Sequence, residues 1–299
     1  MKIFSGTSNK PLAEKVAKNS GLKLSNLEVF VFPDGEKRIR IIDKVLGQDV
    51  FVVQPTSSPT DENYMQLFFI VDALRRSGAK SITAIIPYFG YQRQDHMFRI
   101  GEAVSVKVVA KILEGVGINK LLAVDLHSIK IKEAFNIPVV HLSALSVFAD
   151  FIKQKKWDKN STTLVSPDMG GVRRIKILAK MLGDMSYVTI EKNRNLATGK
   201  VTADGITGKI NEKAIIVDDM ISSGGTIALA AKLLRKEGVR EIYVFVTHPV
   251  FSDKAPKILQ ESEVKKVFVT DTIFVPVEKK FPKLKILSVS EIIASALKS

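Results

Sequence analysis

Short apolar runs alternate along the chain with stretches in which apolar residues recur at the spacing of one helix face. Runs of the first kind predict buried strands at residues 50–54, 81–87, 120–125, 163–166, 214–217, 241–247 and 264–270. Stretches of the second kind predict helices at residues 63–77, 102–115, 170–182 and 226–237, with a short closing helix at 290–297. This alternation is typical of α/β folds, in which helices flank mostly parallel sheets.

The two halves of the chain resemble each other. The segment LRRSGAKSI at residues 74–82 can be laid on LRKEGVREI at residues 234–242. Upstream, each copy has a strand, a Ser/Thr-rich loop and a helix, but the first lacks the paired acids and paired glycines of the second. We therefore predict two tandem domains of one fold, residues 1–147 and 148–299. The alternative is that any two strand-and-helix units look alike over so short a stretch.

The strand predicted at residues 214–217 is followed by two acids and a loop of small residues. Asp218 and Asp219 fall at the carboxyl end of the strand, where open α/β sheets place their ligands. The loop that follows consists of Ser222, Ser223, Gly224, Gly225 and Thr226. Glycines let backbone N–H groups approach an anion, hydroxyls can donate to it, and a helix start adds positive potential. The segment predicts a site for a phosphorylated sugar, although an ordinary capped turn has a similar pattern.

Further polar groups follow two other predicted strands. Asp125 and His127 come after one strand, and Asp168 comes after another. A histidine and a carboxylate at such ends suit a hard divalent ion that completes its coordination with water and phosphate oxygens, as Mg²⁺ does. The alternatives are a structural histidine and an acid that caps a helix.

Three more segments carry candidate chemistry. Residues 87–98 interleave aromatic rings with Arg93 and suit a purine and its phosphates, or equally an interface. Residues 32–40 contain Pro, Asp and Gly in succession and predict a turn between two strands. The polar residues 191–209 predict a long irregular loop, whose Lys192 and Arg194 could neutralise charge on a transferred phosphoryl group. A disordered basic loop is the alternative.

Composition narrows the class of protein. The 299 residues are 45% hydrophobic and 25% charged, as in a globular chain with a sizeable core. There is no cysteine, which excludes disulfides and thiolate metal sites. The net charge of +14 is spread along the chain, so we expect no nucleic-acid partner. With neither a signal peptide nor a long apolar segment, we expect no membrane association and a cytoplasmic protein.

The motifs FPDGE, PYFGYQRQD, VDLHS, VSPDMGG, EKNR and VDDMISSGGT, in this order and spacing, resemble the ribose-phosphate pyrophosphokinase family. The resemblance implies two tandem type I phosphoribosyltransferase-like domains. It also implies an Mg²⁺-dependent enzyme of nucleotide biosynthesis. Such an enzyme transfers the β,γ-diphosphoryl group of ATP to the anomeric hydroxyl of ribose 5-phosphate, giving 5-phosphoribosyl 1-diphosphate and AMP.

The resemblance also assigns the ATP side of the site. Residues of the first domain would contact ATP from two subunits of a homo-oligomer, one of which supplies the FPDGE segment. The implied ATP-binding residues are Phe32, Asp34, Gly35, Glu36, Arg93, Gln94 and Asp95. His127 and Asp168 would bind the Mg²⁺ of MgATP.

In the second domain the resemblance assigns the sugar side. Asp218 and Asp219 would hold the ribose hydroxyls, and the loop from Ser222 to Thr226 would bind the 5-phosphate. Lys192 and Arg194 would be the catalytic pair, with Arg194 also contacting ribose 5-phosphate.

Some residues depart from the family pattern. Ser222 and Ser223 stand where Asp and Thr are usual, and Asn193, His96 and Met97 replace common basic residues. The length resembles that of the shorter archaeal members. A catalytically silent homologue, a plain phosphoribosyltransferase and a nucleic-acid-binding regulator are the rival interpretations. The first of these is disfavoured because the chain retains Lys192, Arg194, His127 and Asp168.

Overall fold

The structure is a computed structural model that describes residues 1–194, 201–252 and 254–298, with only the backbone described for 191–194 and 201–204. The described strands and helices are, in chain order, β1 Lys2–Ser5, α1 Lys10–Ser20, β2 Leu27–Val31, β3 Lys37–Ile41, β4 Asp49–Val53, α2 Thr60–Arg76, β5 Ser81–Ile86, α3 Ser105–Val116, β6 Lys120–Val124, β7 Val139–Leu142, α4 Leu145–Gln154, β8 Thr162–Ser166, α5 Val172–Met181, β9 Tyr187–Arg194, β10 Val201–Thr207, β11 Lys213–Ile221, α6 Gly225–Lys236, β12 Glu241–Pro249, α7 Ala255–Glu261, β13 Lys266–Thr270, β14 Leu284–Leu287 and α8 Ser290–Ala296. Short 3₁₀ turns lie at Ile129–Ala134, Met169–Gly171 and Val277–Lys279.

The chain forms two compact units. The first comprises Met1–Ser143, Thr272–Phe274 and Val289–Ser299, and the second comprises Ala144–Asp271 and Val275–Ser288. The division into domains at residue 147 stays a prediction. None of the described helices combines the length and the apolar character that a membrane crossing requires.

The first unit is built on a parallel sheet with the strand order β1-β4-β5-β6-β7. Its central strands are buried on both faces, so their sequences are continuous apolar runs such as DVFVV in β4. Strands β2 and β3 pair with each other as an antiparallel hairpin outside this sheet. Helix α2 carries Asp61 and Glu62 in its first turn and Arg75 and Arg76 in its last, which complements the helix dipole.

The second unit repeats this order and extends it. Strands β8-β11-β12-β13-β14 form a parallel series in the same succession as β1-β4-β5-β6-β7. Here the hairpin β9–β10 joins the sheet, because β9 pairs in parallel with β8. Within the first unit α8 packs on α1, and within the second α4 packs on α5.

Two predictions about local structure are wrong. Residues 191–209 are not one irregular loop, because β9 continues through Arg194 and β10 begins at Val201, with residues 195–200 not described. The two strands pair antiparallel with a register shift between Ala203 and Gly205. Strand β11 also continues beyond its predicted end, so Asp218 and Asp219 lie within it.

Candidate active site

The acid pair of the second unit lies where β11 loses one of its neighbours. Pairing with β8 ends at Ile216, whereas pairing with β12 continues through Asp218 to Ile221. The backbone N–H of Asp219 donates to Oδ1 of Asp218 at 2.8 Å, which holds the two acids close together. Both side chains are largely buried, with Asp219 only 6% exposed.

Arg174 faces both acids and was missed by sequence reasoning. Its Nη1 lies 3.3 Å from Oδ1 of Asp218, and its Nη2 lies 3.7 Å from Oδ2 of Asp219. The residue belongs to the first turn of α5, where a cation opposes the helix dipole. That unfavourable position, just after the Asp168 segment, is the signal that could have pointed to a role in the site.

Asp168 lies in the turn that connects β8 to α5. Its Oδ1 accepts from the backbone N–H of Gly171 at 3.3 Å, and its backbone carbonyl accepts from Ser166 Oγ at 2.7 Å. The prediction that this acid caps a helix start and the prediction that it faces the site are therefore compatible. One oxygen orders the turn while the side chain lies close enough to Asp218 to act on it electrostatically.

The carboxylates shape the electrostatics of this edge of the sheet. Burial raises the pKa of Asp218 well above its ordinary value, and the neighbouring Asp219 raises it further. Asp168 acts in the same direction, while Arg174 opposes the shift. Buried carboxylates with a raised pKa are a common feature of ligand sites, and their oxygens suit hydroxyl donors or a cation as the ligand.

The small-residue loop after β11 is anchored at its base and exposed at its tip. Phe251 N–H donates to the Ile221 carbonyl and Ser252 N–H to the Ser222 carbonyl, both at 3.0 Å. Gly224 has φ 79°, and a Cβ there would also lie 3.2 Å from Leu259. The left-handed turn therefore requires glycine.

The tip of this loop carries polar groups that an anion could bind. Ser223, Gly225 and Thr226 are exposed at the start of α6, a helix of 12 residues. The exposed hydroxyls and the N-terminal N–H groups provide donors of the kind that bind a phosphate group.

In the first unit, the FPDGE segment forms the turn of the β2–β3 hairpin, as predicted. Phe32 N–H donates to the Glu36 carbonyl at 2.8 Å, Gly35 N–H to the Phe32 carbonyl at 2.9 Å, and Glu36 N–H to Asp34 Oδ1 at 3.1 Å. Phe32 is 38% exposed, and the guanidinium of Arg38 lies 5.9 Å from its ring. The hairpin thus offers an exposed aromatic face beside a cation, which suits a nucleobase.

The PYFGYQRQD segment of the first unit borders a cavity. The cavity measures about 400 Å³ and is lined by Tyr88, Tyr91, Arg93, Gln94 and Phe98. Asp95 contacts His96 with 2.6 Å between Oδ1 and Nδ1. Aromatic and basic side chains therefore line a cavity of a size that a small ligand can occupy.

Comparison with known proteins places the chain. Residues 1–117 match the N-terminal domain of ribose phosphate pyrophosphokinase, and residues 165–299 match the phosphoribosyl synthetase-associated domain. A Fusobacterium nucleatum protein named ribose-phosphate pyrophosphokinase is 43% identical over 99% of this chain and 94% of its own length. The chain belongs to the ribose-phosphate pyrophosphokinase family. The Gloeobacter violaceus protein of that name is 40% identical over 99% of this chain and 89% of its own length.

A solved structure of the ribose-phosphate pyrophosphokinase family has the same fold. The crystal structure of phosphoribosylpyrophosphate synthetase from Mycobacterium smegmatis matches with a TM-score of 0.91 at 34% identity, covering 99% of this chain and 97% of that one. This match and the repeated strand order confirm the prediction of two tandem type I phosphoribosyltransferase-like domains with mostly parallel sheets.

The carboxylates of the second unit fit the Mg²⁺ that the ribose-phosphate pyrophosphokinase family implies. Among the described residues, no group of three or more metal-type side chains could enclose an ion by itself. Mg²⁺ does not need such a cage, because it keeps several waters and binds one or two carboxylates together with phosphate oxygens. Asp168, beside two further acids, supplies suitable oxygens. His127, the other predicted ligand, is exposed in the first unit.

The two predicted catalytic residues of the family motif EKNR belong to β9 by their backbone. Lys192 pairs with Ala203, and Arg194 pairs with Val201. Their side chains lie outside the described residues. Their predicted roles rest on the motif alone.

Proposed function

We propose that this protein transfers the β,γ-diphosphoryl group of ATP to the anomeric hydroxyl of ribose 5-phosphate. The anomeric oxygen bonds to the β-phosphorus, the bond from that phosphorus to the α-phosphate oxygen breaks, AMP leaves and the hydroxyl proton is released. The observation that carries the proposal is the acid pair and hydroxyl loop of β11 and α6, in a chain 43% identical over 99% of its length to a named ribose-phosphate pyrophosphokinase.

The second unit would hold the acceptor. Asp218 and Asp219 accept hydrogen bonds from the ribose hydroxyls, and Arg174 keeps the two carboxylates in place. The 5-phosphate binds to the loop from Ser222 to Thr226, where hydroxyls and the start of α6 provide donors. With the sugar fixed at both ends, its anomeric oxygen is positioned for attack.

The diphosphoryl group would be handled by cations. Asp168 and His127 would hold Mg²⁺, which when bound neutralises charge on the ATP phosphates. Lys192 and Arg194 contact the diphosphoryl group as it moves, and Arg194 also contacts ribose 5-phosphate. We propose no covalent intermediate, so catalysis rests on positioning and electrostatics.

ATP would bind to the first unit and to a second copy of the chain. Arg93, Gln94 and Asp95 contact ATP from one subunit, whereas Phe32, Asp34, Gly35 and Glu36 contact it from a neighbour. The hairpin forms a two-stranded sheet of its own, and its exposed aromatic side chain Phe32 supports this arrangement. We further propose that the protein is a cytoplasmic homo-oligomer and that it resembles the shorter archaeal members of the family.

The test uses ATP labelled separately at the β- and γ-phosphorus. Incubation with Mg²⁺ and ribose 5-phosphate should carry both labels into one sugar product, with AMP formed in equal amount. Omission of ribose 5-phosphate is the control and should abolish AMP release. Transfer of the γ-label alone, or label transfer with ADP as the coproduct, would replace the proposal with a simple kinase.

A further inference from the structure

Gln92 is a buried amide between two predicted functional residues of the first unit. It is 1% exposed and directly precedes Arg93 and Gln94, which line the 400 Å³ cavity. Its Oε1 accepts from the backbone N–H of His127 at 3.0 Å, across 35 positions of sequence. One side chain thus joins the segment that borders the cavity to the segment that carries the predicted metal ligand.

The other polar atom of Gln92 gives the fold no hydrogen bond. Within the described part of the chain, Nε2 is buried and meets no acceptor. A buried donor without a partner costs free energy, so Nε2 gives no reason for an amide at this position. The amide is therefore explained by its Oε1 and by the segment that this oxygen holds.

The backbone around Gln92 orients the side chain. Tyr91 has φ 62°, a left-handed conformation that large side chains rarely adopt, and its hydroxyl hydrogen-bonds to Asp61. On the other side, the Gln94 carbonyl accepts from Val106 N–H at 3.3 Å, at the start of α3. Gln92 consequently lies inside a segment that is fixed at both of its ends.

The corner that carries His127 is anchored at its other residues too. Ser143 Oγ donates to Asp125 Oδ1 at 2.8 Å, and Leu126 N–H donates to His141 Nε2 at 3.1 Å. Both of these anchors come from β7 or the residue after it. The contact of Gln92 relates the corner to the cavity-lining segment.

We infer that Gln92 is a positioning residue that sets His127 relative to Arg93 and Gln94, so that Mg²⁺ and the ATP phosphates bind as a unit. This inference rests on the proposed function and deepens it. Gln92 itself touches neither ATP nor metal. Its loss should weaken the binding of nucleotide with Mg²⁺ and leave the binding of ribose 5-phosphate and of metal-free nucleotide unchanged.

The test compares Gln92→Leu with Gln92→Glu, which keeps an acceptor oxygen for His127. Gln66→Leu is the matched control, because Gln66 is also buried in the first unit and accepts a backbone N–H, from Thr7 at 2.8 Å. Calorimetric titration with a non-hydrolysable ATP analogue, with and without Mg²⁺, measures binding without turnover. Gln92→Leu should weaken Mg²⁺-dependent binding by about tenfold, the scale of one lost hydrogen bond, and Gln92→Glu should restore it.

Several results would overturn the inference. These are unchanged Mg²⁺-dependent affinity in Gln92→Leu, an equal loss in Gln66→Leu, or an equal loss for metal-free nucleotide. If Gln92→Leu does not fold, hydrogen exchange of the wild-type His127 amide decides, because fast exchange would show that the contact is absent. Production of AMP and labelled sugar by the wild type is measured separately, so failure of the proposed function is distinguished from failure of this inference.

Discussion

Strands β4 and β11 occupy matching positions in the two sheets, yet different side chains lie at their carboxyl ends. A buried amide follows β4, whereas β11 carries two acids near its end. In the first unit, Gln54 follows β4 and is fully buried. Its Nε2 donates to Gln66 Oε1 at 3.0 Å, and its Oε1 accepts from Ser8 Oγ at 2.9 Å. Gly6 is required beside it, because a Cβ at that position would lie 2.0 Å from Gln54 Oε1.

The second unit places two acids, Asp218 and Asp219, at the corresponding strand end. Burial and the adjacent carboxylate raise the pKa of Asp218, and the following loop exposes its hydroxyls. The same fold thus fills a strand end with its own amides in one copy and keeps a costly cluster of charge in the other. A buried carboxylate with a raised pKa points to a ligand, whereas the satisfied amide cluster points to stability.

The largest expected effect is that of removing Lys192 from the β9–β10 hairpin, which has a predicted catalytic role that the β2–β3 hairpin of the first unit does not share. Lys192→Ala in β9 should lower kcat by about 10³-fold with little change in ATP affinity, as for a contact made in the transition state. Rapid-quench measurement of AMP formation, together with equilibrium binding of ATP, separates the two quantities. Lys209→Ala removes an exposed charge just after β10 and is the control. A normal kcat in Lys192→Ala would show that Lys192 has no catalytic role.

Next in size is the effect of the acid pair. Asp219→Ala should raise the KM for ribose 5-phosphate by about 100-fold, because a buried charged acceptor for the sugar hydroxyls is lost. Steady-state kinetics with varied ribose 5-phosphate checks this.

The control for the acid pair is Glu212→Ala, which removes an acid just before the same strand. Its exposed pair with Arg240, with 3.6 Å between the charged atoms, contributes little to stability. Equal KM values for the Asp219 and Glu212 variants would show that the acid pair does not hold the sugar.

Central strands and the turns between them could be predicted from the sequence. The strand predicted at residues 81–87 is observed at Ser81–Ile86, because a strand buried on both faces is a continuous apolar run. The β9–β10 hairpin could not be predicted, because the EKNR segment is polar and shows no apolar alternation that would indicate a strand. Arg174 was missed because its partner Asp218 lies 44 positions further along the chain, so the sequence near Arg174 does not identify the partner. The roles of Lys192 and Arg194 stay predictions.

A smaller effect, on stability instead of catalysis, tests the other side of the comparison. Gln54→Leu should lower the free energy of unfolding by about 2–4 kcal/mol, because Ser8, Asn63 and Gln66 lose buried hydrogen bonds. The KM for ATP and the KM for ribose 5-phosphate should both stay unchanged. Chemical denaturation measures the first quantity, with Gln48→Leu as an exposed control next to the same strand. A rise in either KM would mean that the amide cluster serves substrate binding.

The smallest effect is the pH dependence of Asp218. Because its pKa is raised above the ordinary 3.8, the protonated form stabilises the folded ligand-free protein, and this stabilisation is lost as pH rises through the folded pKa. Asp218→Asn keeps the oxygen that accepts from Asp219 N–H and Arg174 but removes the charge. The variant should therefore melt at a higher temperature than the wild type at neutral pH, with the difference vanishing in acid.

Ribose 5-phosphate binding by Asp218 should follow the opposite course. Its ionised carboxylate accepts from the sugar, so the affinity of the wild type should begin to fall on acidification at a higher pH than for an ordinary aspartate. Asp218→Asn should bind weakly at neutral pH and retain only the pH dependence that comes from the substrate phosphate. Calorimetric titrations of both proteins with ribose 5-phosphate, from neutral to acidic pH, measure the difference between the two pH profiles. If the two proteins show the same pH profile, the charge at Asp218 is neutralised within the fold, and β11 then resembles β4 in serving stability alone.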